Sequence, residues 1–344
     1  MKTFTAAAFG KLSAALMAPA FLAFAFVAHP AQALEPMKVS LAAATANYAP
    51  YFVAIEKGYY REEGFDVEIV HAPGAAATAA LLSGDLPFST SGAAAMSAAM
   101  KGAPLKLVLF PWSRPTFQIW STKPDIKTLA DLKGKTIGIQ SRGDTFEIAL
   151  RMAFMANGID PSAVSYTALG IGNGRFATLV SGSLPAAMVS RIDVQKLREM
   201  GALDKGNMVY DMYANNVRMP LTSLAVNAAL IQKDRERVKR FIRASIKGFR
   251  YATELKEPTL DILMKYNDVG RTREAAAADY DDVVASRSED GTVPPASLQT
   301  EITVRGQIME MPADKLPKAD KVFDLSMANE VNKELAASGW KPTP

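Results

Sequence analysis

A short segment that occurs twice constrains the fold of this chain more than any other feature. Leu81–Pro87 reads LLSGDLP and Leu179–Pro185 reads LVSGSLP, so the two copies start 98 residues apart. Each copy follows a helical pattern of small residues and leads into a short strand-like run. Because about 100 residues make one small domain, the repeat predicts two similar lobes with a cleft between them. Small ligands commonly bind in clefts of this kind.

The first 33 residues are typical of a secretory signal peptide. Lys2 and Lys11 make the start basic, residues 14–28 are almost uninterruptedly apolar, and residues 31–33 (AQA) have the small-x-small form of a cleavage site. A membrane anchor is the alternative, but a span needs about 20 apolar residues and this run is shorter. We therefore expect cleavage near Ala33–Leu34 and a soluble, exported protein in the periplasm.

The composition of the chain argues against several classes of protein. It contains no cysteine, so a disulfide scaffold is excluded. Loss of the signal leaves 37 basic against 35 acidic residues, and the densest basic run, residues 233–243, is interleaved with acids. That pattern indicates a solvated helix face and no nucleic-acid partner. His71 is the only histidine beyond the signal, so we assign no catalytic residue, metal site or cofactor and expect no enzyme.

Strand-like and helical segments alternate from Leu34 onward, which is typical of an α/β fold with mostly parallel sheets flanked by helices. We predict a first lobe over residues 34–120 and a second lobe over 121–220. Residues 221–344 return to the first lobe and end in C-terminal helices that look peripheral. Asp144 is the expected N-cap of one helix, and Asp234–Leu255 reads as a long amphipathic helix.

Several sequence words follow one another in a definite order along the chain. They are EKGYYREEGFDV at 56–67, LLSGDLPF at 81–88, KGAPL at 101–105, TLADLKGK at 128–135 and NGIDP at 157–161. Together they resemble the periplasmic substrate-binding proteins of ABC importers for nitrate, sulfonates, taurine and thiamine precursors. The resemblance runs from about Met37 to Trp340. It departs from the family at Pro87 and Pro185, where an acid is usual, and at Ser190–Arg191.

The resemblance implies a two-lobed periplasmic binding protein fold of type II-like form, with two crossing strands as a hinge. It implies a monomer that closes over a small-molecule solute and delivers it to an ABC permease in the inner membrane. Two alternatives remain open at this stage. One is an enzyme of the same fold that acts on such a metabolite, and the other is a binding module that serves a separate sensory partner.

The expected ligand site consists of loops at the carboxyl ends of strands, where helix N-termini point unpaired N–H groups into the crevice. These loops carry hydroxyls, amides and glycine, with aromatic side chains beside them. The predicted ligand-binding residues are Thr45, Asn47, Tyr48, Tyr51, Ser91, Gly92, Trp112, Ser141, Arg142, Asp144, Thr145 and Arg191.

Two arginines among these residues suggest the chemistry of the solute. Arginine forks pair bidentately with carboxylate or sulfonate, so Arg142 and Arg191 predict a small organic anion. A thiamine-pyrimidine precursor is the alternative solute. Each arginine could instead be a surface charge, and Tyr51 and Trp112 could be core residues. The glycine-rich segment 170–174 lacks a complete dinucleotide fingerprint and is read as a loop at the cleft edge.

Overall fold

The computed structural model describes residues 33–41, 44–72, 74–170, 173–199, 201, 203, 206–266 and 272–344. The predicted signal peptide, apart from Ala33, lies outside the described residues, and so do residues 171–172 of the glycine-rich segment. In the described part of the chain, no helix combines the length and the apolar character that a bilayer crossing needs.

The strands form two five-stranded sheets, with the orders β2-β1-β3-β10-β4 and β7-β6-β8-β5-β9. In chain order the strands are β1 (Glu35–Leu41), β2 (Phe65–His71), β3 (Phe88–Ser89), β4 (Leu105–Leu109), β5 (Phe117–Ser121), β6 (Thr136–Ile139), β7 (Ser165–Ala168), β8 (Ala186–Ser190), β9 (Asn207–Asp211) and β10 (Leu224–Asn227).

Helices cover both sheets. They are α1 (Ala49–Glu56), α2 (Tyr59–Glu62), α3 (Gly74–Ser83), α4 (Gly92–Met100), α5 (Thr145–Ala156), α6 (Asn173–Ser181), α7 (Arg191–Glu199), α8 (Ala228–Lys233), α9 (Arg235–Glu254), α10 (Lys256–Tyr266), α11 (Arg273–Ala285), α12 (Pro295–Ile308), α13 (Ala319–Val322) and α14 (Ser326–Ala337). Short 3-10 helices span Ala46–Tyr48, Leu129–Leu132, Pro161–Ala163 and Ala313–Lys315.

The duplicated segment forms the same unit in both sheets. The first copy ends α3 and leads into β3, and the second ends α6 and leads into β8. Both strands lie in the middle of their sheets. Gly84 and Gly182, just beyond the two helices, have φ of 87° and 64°, the left-handed conformation that ends helices and that glycine adopts without strain. The prediction of two similar α/β halves is confirmed.

Four strands of each sheet run in one direction, as predicted, and one strand opposes them. β10 is antiparallel to β3 and β4, and β5 is antiparallel to β8 and β9. Each is the first strand that the chain makes after leaving the other sheet, so it enters from the opposite end. Because β5 belongs to the second sheet, the chain leaves the first sheet before Phe117, a few residues earlier than the expected boundary at 120/121.

The chain crosses between the sheets in two segments, residues 110–116 and 212–223. These segments pair with each other, because the N–H of Met219 donates to the carbonyl of Ser113 at 2.9 Å. A third segment, residues 286–291, lies beside the first. There the N–H of Ser113 donates to the carbonyl of Ser286, also at 2.9 Å. The two crossing segments that the sequence predicted are confirmed, and a third chain segment adjoins them in the hinge.

The C-terminal helices are less peripheral than the sequence indicated. Ile302 of α12 is buried with the first-sheet core, and Val304 of the same helix is buried with the second-sheet core. Ala276 and Tyr280 of α11 join the first-sheet core. Both helices therefore take part in the cores that position the two sheets.

The long helix α9 packs closely on the first half of the molecule. Phe241 stacks on Phe88 of β3 with ring centroids 3.8 Å apart, and α9 lies against α1 along most of the length of that shorter helix. The approach is closest at Gly248, where an added Cβ would lie 2.1 Å from the backbone oxygen of Pro50 and 2.9 Å from the Cβ of Ala54. Glycine at this position is therefore a packing requirement.

We expect Gly248→Ala to lower the free energy of unfolding by about 2–3 kcal/mol, because overpacking against a backbone oxygen forces the helices apart. This loss should exceed the gain of about 1 kcal/mol that alanine brings to a helix. Urea unfolding measures the difference. Gly306→Ala is the matched control, since its new Cβ meets only the flexible end of Leu316. Equal stability of the two variants would contradict the packing argument.

Candidate ligand-binding cleft

A cavity of about 500 Å³ lies between the two sheets. Its walls come from the segment after β1, the crossing segments, the loop after β6 with the start of α5, and the last turns of α11. The lining residues are Thr45, Ala46, Asn47, Tyr48, Thr116, Phe117, Gln140, Asp144, Thr145, Phe146, Leu221, Thr222, Asp279, Asp282, Val283 and Ser286. Five of the predicted site residues are thus brought together here: Thr45, Asn47, Tyr48, Asp144 and Thr145.

The segment after β1 is held in place by the hinge. The indole Nε1 of Trp112, in the first crossing segment, donates to the backbone oxygen of Asn47 at 2.7 Å. Trp112 is 1% exposed and meets Phe249 edge-on with ring centroids 5.6 Å apart. This tryptophan, predicted as a ligand-binding residue, therefore lies behind the cavity wall and fixes the backbone of the loop that forms the wall.

Tyr51 belongs to the core of the first sheet. Its side chain is fully buried among α1 and its neighbours, and burial raises the pKa of its hydroxyl well above the ordinary value. The hydroxyl has no hydrogen-bond partner among the described residues. The structure does not bring Tyr51 to the cavity surface.

Ser91 and Gly92, at the start of α4, face the second crossing segment. An added Cβ on Gly92 would lie 1.6 Å from the Oγ of Ser223, and Ser91 bridges to the same serine through the backbone. The Ser91 hydroxyl donates to the carbonyl of Ala72 at 3.3 Å. Ser91 and Gly92, predicted as ligand-binding residues, are therefore small because the first sheet and the hinge approach each other closely here.

The loop after β6 is organised by a carboxylate that the sequence analysis did not assign to the site. Glu147, in the first turn of α5, is fully buried and accepts a hydrogen bond from the N–H of Gly143 at 2.8 Å. Arg151 donates to the same side chain at 2.7 Å and 2.9 Å. Asp144 caps the helix by accepting from the N–H of Glu147 at 2.9 Å, as predicted, and it also accepts from the N–H of Ser141.

Arg142 points along this loop toward Glu147. Its Nη1 lies 3.2 Å from the Glu147 carboxylate, and 62% of its side chain is exposed. The guanidinium also lies 6.0 Å from the ring centroid of Tyr166. Arg142 therefore has an intramolecular partner, and it is not among the described residues that line the cavity.

Arg191 is the first residue of α7. Its side chain faces the wall of the cleft that α11 forms. Its Nε lies 4.0 Å from Oδ1 of Asp282 on α11, and its guanidinium lies 5.3 Å from the ring centroid of Tyr213. Thr116 of the first crossing segment donates to the other Asp282 oxygen at 3.2 Å. Asp282 thus receives contacts from the second sheet and from the hinge at one point.

Asp282 is a partly buried acid on the cavity wall, with 16% of its side chain exposed. Burial raises the pKa of its carboxyl above the ordinary value, which outweighs the opposing effects of Thr116 and Arg191. Its Oδ1 has no hydrogen-bond partner among the described residues. Asp279 lies one helical turn earlier and lines the same cavity. Acids three residues apart share a helix face, and that spacing is the sequence signal that could have identified this wall.

The cavity combines aromatic surface with acids. Phe117 and Phe146 meet edge to face with ring centroids 4.5 Å apart, and Tyr48 lies on the first-sheet side. The charged side chains among the described lining residues are Asp144, Asp279 and Asp282, with no lysine or arginine. Such a wall favours flat, apolar rings that carry hydrogen-bond donors.

Comparison with known proteins places these features in a family. The sequence model of the family described as NMT1/THI5 like matches residues 45–258, which confirms the resemblance seen in the sequence. A curated relative, the riboflavin-binding protein RibY of Chloroflexus aurantiacus, is 29% identical over 227 residues. That match covers 64% of this chain and 63% of the relative, so the chain spans less than two thirds of the relative's length.

Solved structures share the fold. The putative periplasmic sulfonate-binding protein SsuA from Methylobacillus flagellatus superposes with a TM-score of 0.69 at 16% identity, over 91% of this chain and 98% of that one. The desulfurization enzyme DSZB gives a TM-score of 0.52 at 13% identity, over 87% of this chain and 99% of that one. At these identities the likeness establishes the two-lobed α/β fold.

We expect Asp282→Asn to raise the melting temperature at pH 7. A carboxyl whose pKa is raised by folding binds its proton more tightly in the folded state, so stability falls as the pH rises above the unfolded pKa of about 4. The asparagine removes that loss. Its advantage over the wild type should therefore be larger at pH 7 than at pH 4 in a thermal unfolding series.

Asp281→Asn is the control, because the Asp281 carboxylate is exposed and pairs with Lys256 at 2.7 Å. This neighbouring change should not raise the melting temperature. An Asp282→Asn advantage that is absent, or that is the same at both pH values, would contradict the conclusion that the ionised Asp282 carboxylate destabilises the folded state.

Proposed function

The chain belongs to the family described as NMT1/THI5 like, and on that premise we propose that it is an extracytoplasmic solute-binding protein of an ABC importer. We propose further that its solute is a flat, uncharged heterocycle with N–H donors, of the flavin or aminopyrimidine type. The protein is exported to the periplasm, acts as a monomer and hands its solute to a membrane permease.

One observation carries the choice of solute. The cleft wall offers three aromatic rings and three carboxylates, and no basic side chain lies among its described residues. A desolvated anion needs a positive partner to offset its loss of hydration, and this wall would repel one. A ring with N–H donors instead bonds to Asp282, whose Oδ1 has no hydrogen-bond partner among the described residues, and covers the aromatic surface.

Size and kinship support the same choice. A cavity of about 500 Å³ lies within the range of about 300–1,000 Å³ that is usual for small organic ligands. The curated relative is named for binding riboflavin, a flat heterocycle. The thiamine-precursor binders that the sequence resembles favour pyrimidines, which share the flat ring and the amino donors.

The sulfonate or carboxylate expected from the sequence is the competing solute. It requires Arg142 or Arg191 to leave Glu147 or Asp282 and turn into the cavity, which exchanges one ion pair for another. The superposition on a protein named for sulfonate binding supports that solute only through the shared fold. We therefore treat the anion as the second arm of the binding experiment.

We propose binding by closure, without chemistry on the solute. The lining comes from both sheets and from the hinge, so a solute that contacts both sides favours the closed state by its differential affinity. The desulfurization enzyme shares the fold, but the described lining residues of this cleft include neither histidine nor cysteine. Recovery of an unaltered solute after incubation, measured by mass spectrometry, separates binding from turnover.

Titration calorimetry with riboflavin and hydroxymethylpyrimidine should give saturable binding to one site, whereas taurine and alkylsulfonates should give none. Asp282→Asn should weaken the binding about tenfold, because a charge-assisted hydrogen bond contributes roughly 1.5–3 kcal/mol. Asp281→Asn, next to it on the exposed side of α11, should bind as the wild type does. Tight sulfonate binding with no response to either heterocycle would reverse the choice of solute.

Arg142→Ala distinguishes the two solute classes from the opposite side of the cleft. Since Arg142 pairs with Glu147, its removal should change the affinity for a heterocycle by less than about threefold, the scale of a surface ion pair. An anion held by its guanidinium would lose far more. Calorimetric titration of wild type and variant with the best solute measures the ratio, and a loss above tenfold would support the anion.

A further inference from the structure

A second cavity, of about 530 Å³, lies beside the hinge and shares no described lining residue with the cleft. Four arginines line it, each from a different segment. Arg114 comes from the first crossing segment, Arg218 from the second, Arg287 from the third and Arg250 from the last turns of α9. The proposed solute function makes no use of this cluster.

Two of these guanidiniums are held by uncharged partners. The Arg114 guanidinium stacks on the ring of Tyr213 at 4.2 Å, and its buried Nε has no hydrogen-bond partner among the described residues. Arg250 donates to the amide oxygen of Asn332 at 2.9 Å. Stacking and amide contacts fix the direction of a guanidinium and leave its charge uncompensated.

The four arginines have few acidic partners in this cavity. Arg218 donates through Nε to Asn216 at 3.0 Å, and its Nη2 lies 3.5 Å from Glu289, whose side chain is 86% exposed. The other carboxylate in the lining is that of Glu254. In the described part of the chain, this contact with Glu289 is the one ion pair within 4.0 Å that the four arginines make. Four positive charges therefore face two exposed negative ones.

Like charges that share a cavity repel one another, and the repulsion is larger where water is partly excluded. A bound anion removes that repulsion and gains forked hydrogen bonds, because guanidinium planes match the oxygens of phosphate. The cavity exceeds the volume of a single phosphate, so it accommodates a larger phosphorylated group as well.

We propose that this cavity is a binding site for a polyvalent oxyanion of the phosphate class. Since Arg114, Arg218 and Arg287 stand on the three hinge segments, one anion contacts all three and cross-links them. The site is independent of the cleft, so this inference stands whichever solute the cleft binds.

The experiment compares the melting temperature of the purified protein in pyrophosphate, in inorganic phosphate and in sodium chloride at matched ionic strength. Pyrophosphate should give a saturable rise of about 2–4 °C by mass action on the folded state. Chloride should give none. Calorimetry of the same protein with pyrophosphate should report one site per chain.

Arg218→Gln and Arg287→Gln should each weaken the apparent affinity for pyrophosphate at least about tenfold. Arg61→Gln is the control, since Arg61 is 71% exposed and pairs with Asp66 outside the cavity; it should bind as the wild type does. Circular dichroism verifies that each variant is folded, and the two single variants test the site separately. A rise that chloride reproduces, or that both cavity variants retain, overturns the proposal.

Discussion

The exchange of strands through the hinge is the constraint on which the rest of the structure depends. Each sheet holds one strand that opposes the others, and that strand is supplied by chain that has just left the other sheet. Neither sheet is complete without a crossing segment, and the crossing segments are hydrogen-bonded to each other at Met219 and Ser113. Backbone pairing in the hinge therefore places the two halves, together with α12, which is buried in both cores.

The exchange of strands through the hinge determines which residues line the cleft. Its walls are the ends of strands and the segments that leave them, so backbone geometry decides which side chains meet there. Trp112 shows the coupling directly: it sits in a crossing segment and bonds to the loop after β1. Glu147 does the same for the loop after β6, and Asp282 connects α11 to both the hinge and α7. Three anchors thus fix the wall before any solute arrives.

Features of the fold that are encoded locally were predictable from the sequence. The repeat, the glycines that end α3 and α6, and the Asp144 cap each depend on a few consecutive residues. The spacing of Asp279 and Asp282 indicates a shared helix face, but it does not show that this face meets the other walls of the cleft, which lie far away along the chain. The loop positions of Arg142 and Arg191 also did not predict whether their guanidiniums face a ligand. Whether a guanidinium faces a ligand depends on neighbours such as Glu147 and Asp282, which no local pattern reveals.

One sheet is built from a continuous stretch of the chain and the other is not, and this difference affects the order in which the two sheets fold. The second sheet uses one uninterrupted stretch, from Phe117 to Asp211, and its strands pair over shorter sequence distances than β10 and its partners do in the first sheet. The first sheet is completed only by β10, which joins β3 and β4 and follows all the strands of the second sheet in the sequence. Closing so long a loop carries an entropic cost and slows folding. The second half is therefore suited to act as the early-folding template on which the first half is finished.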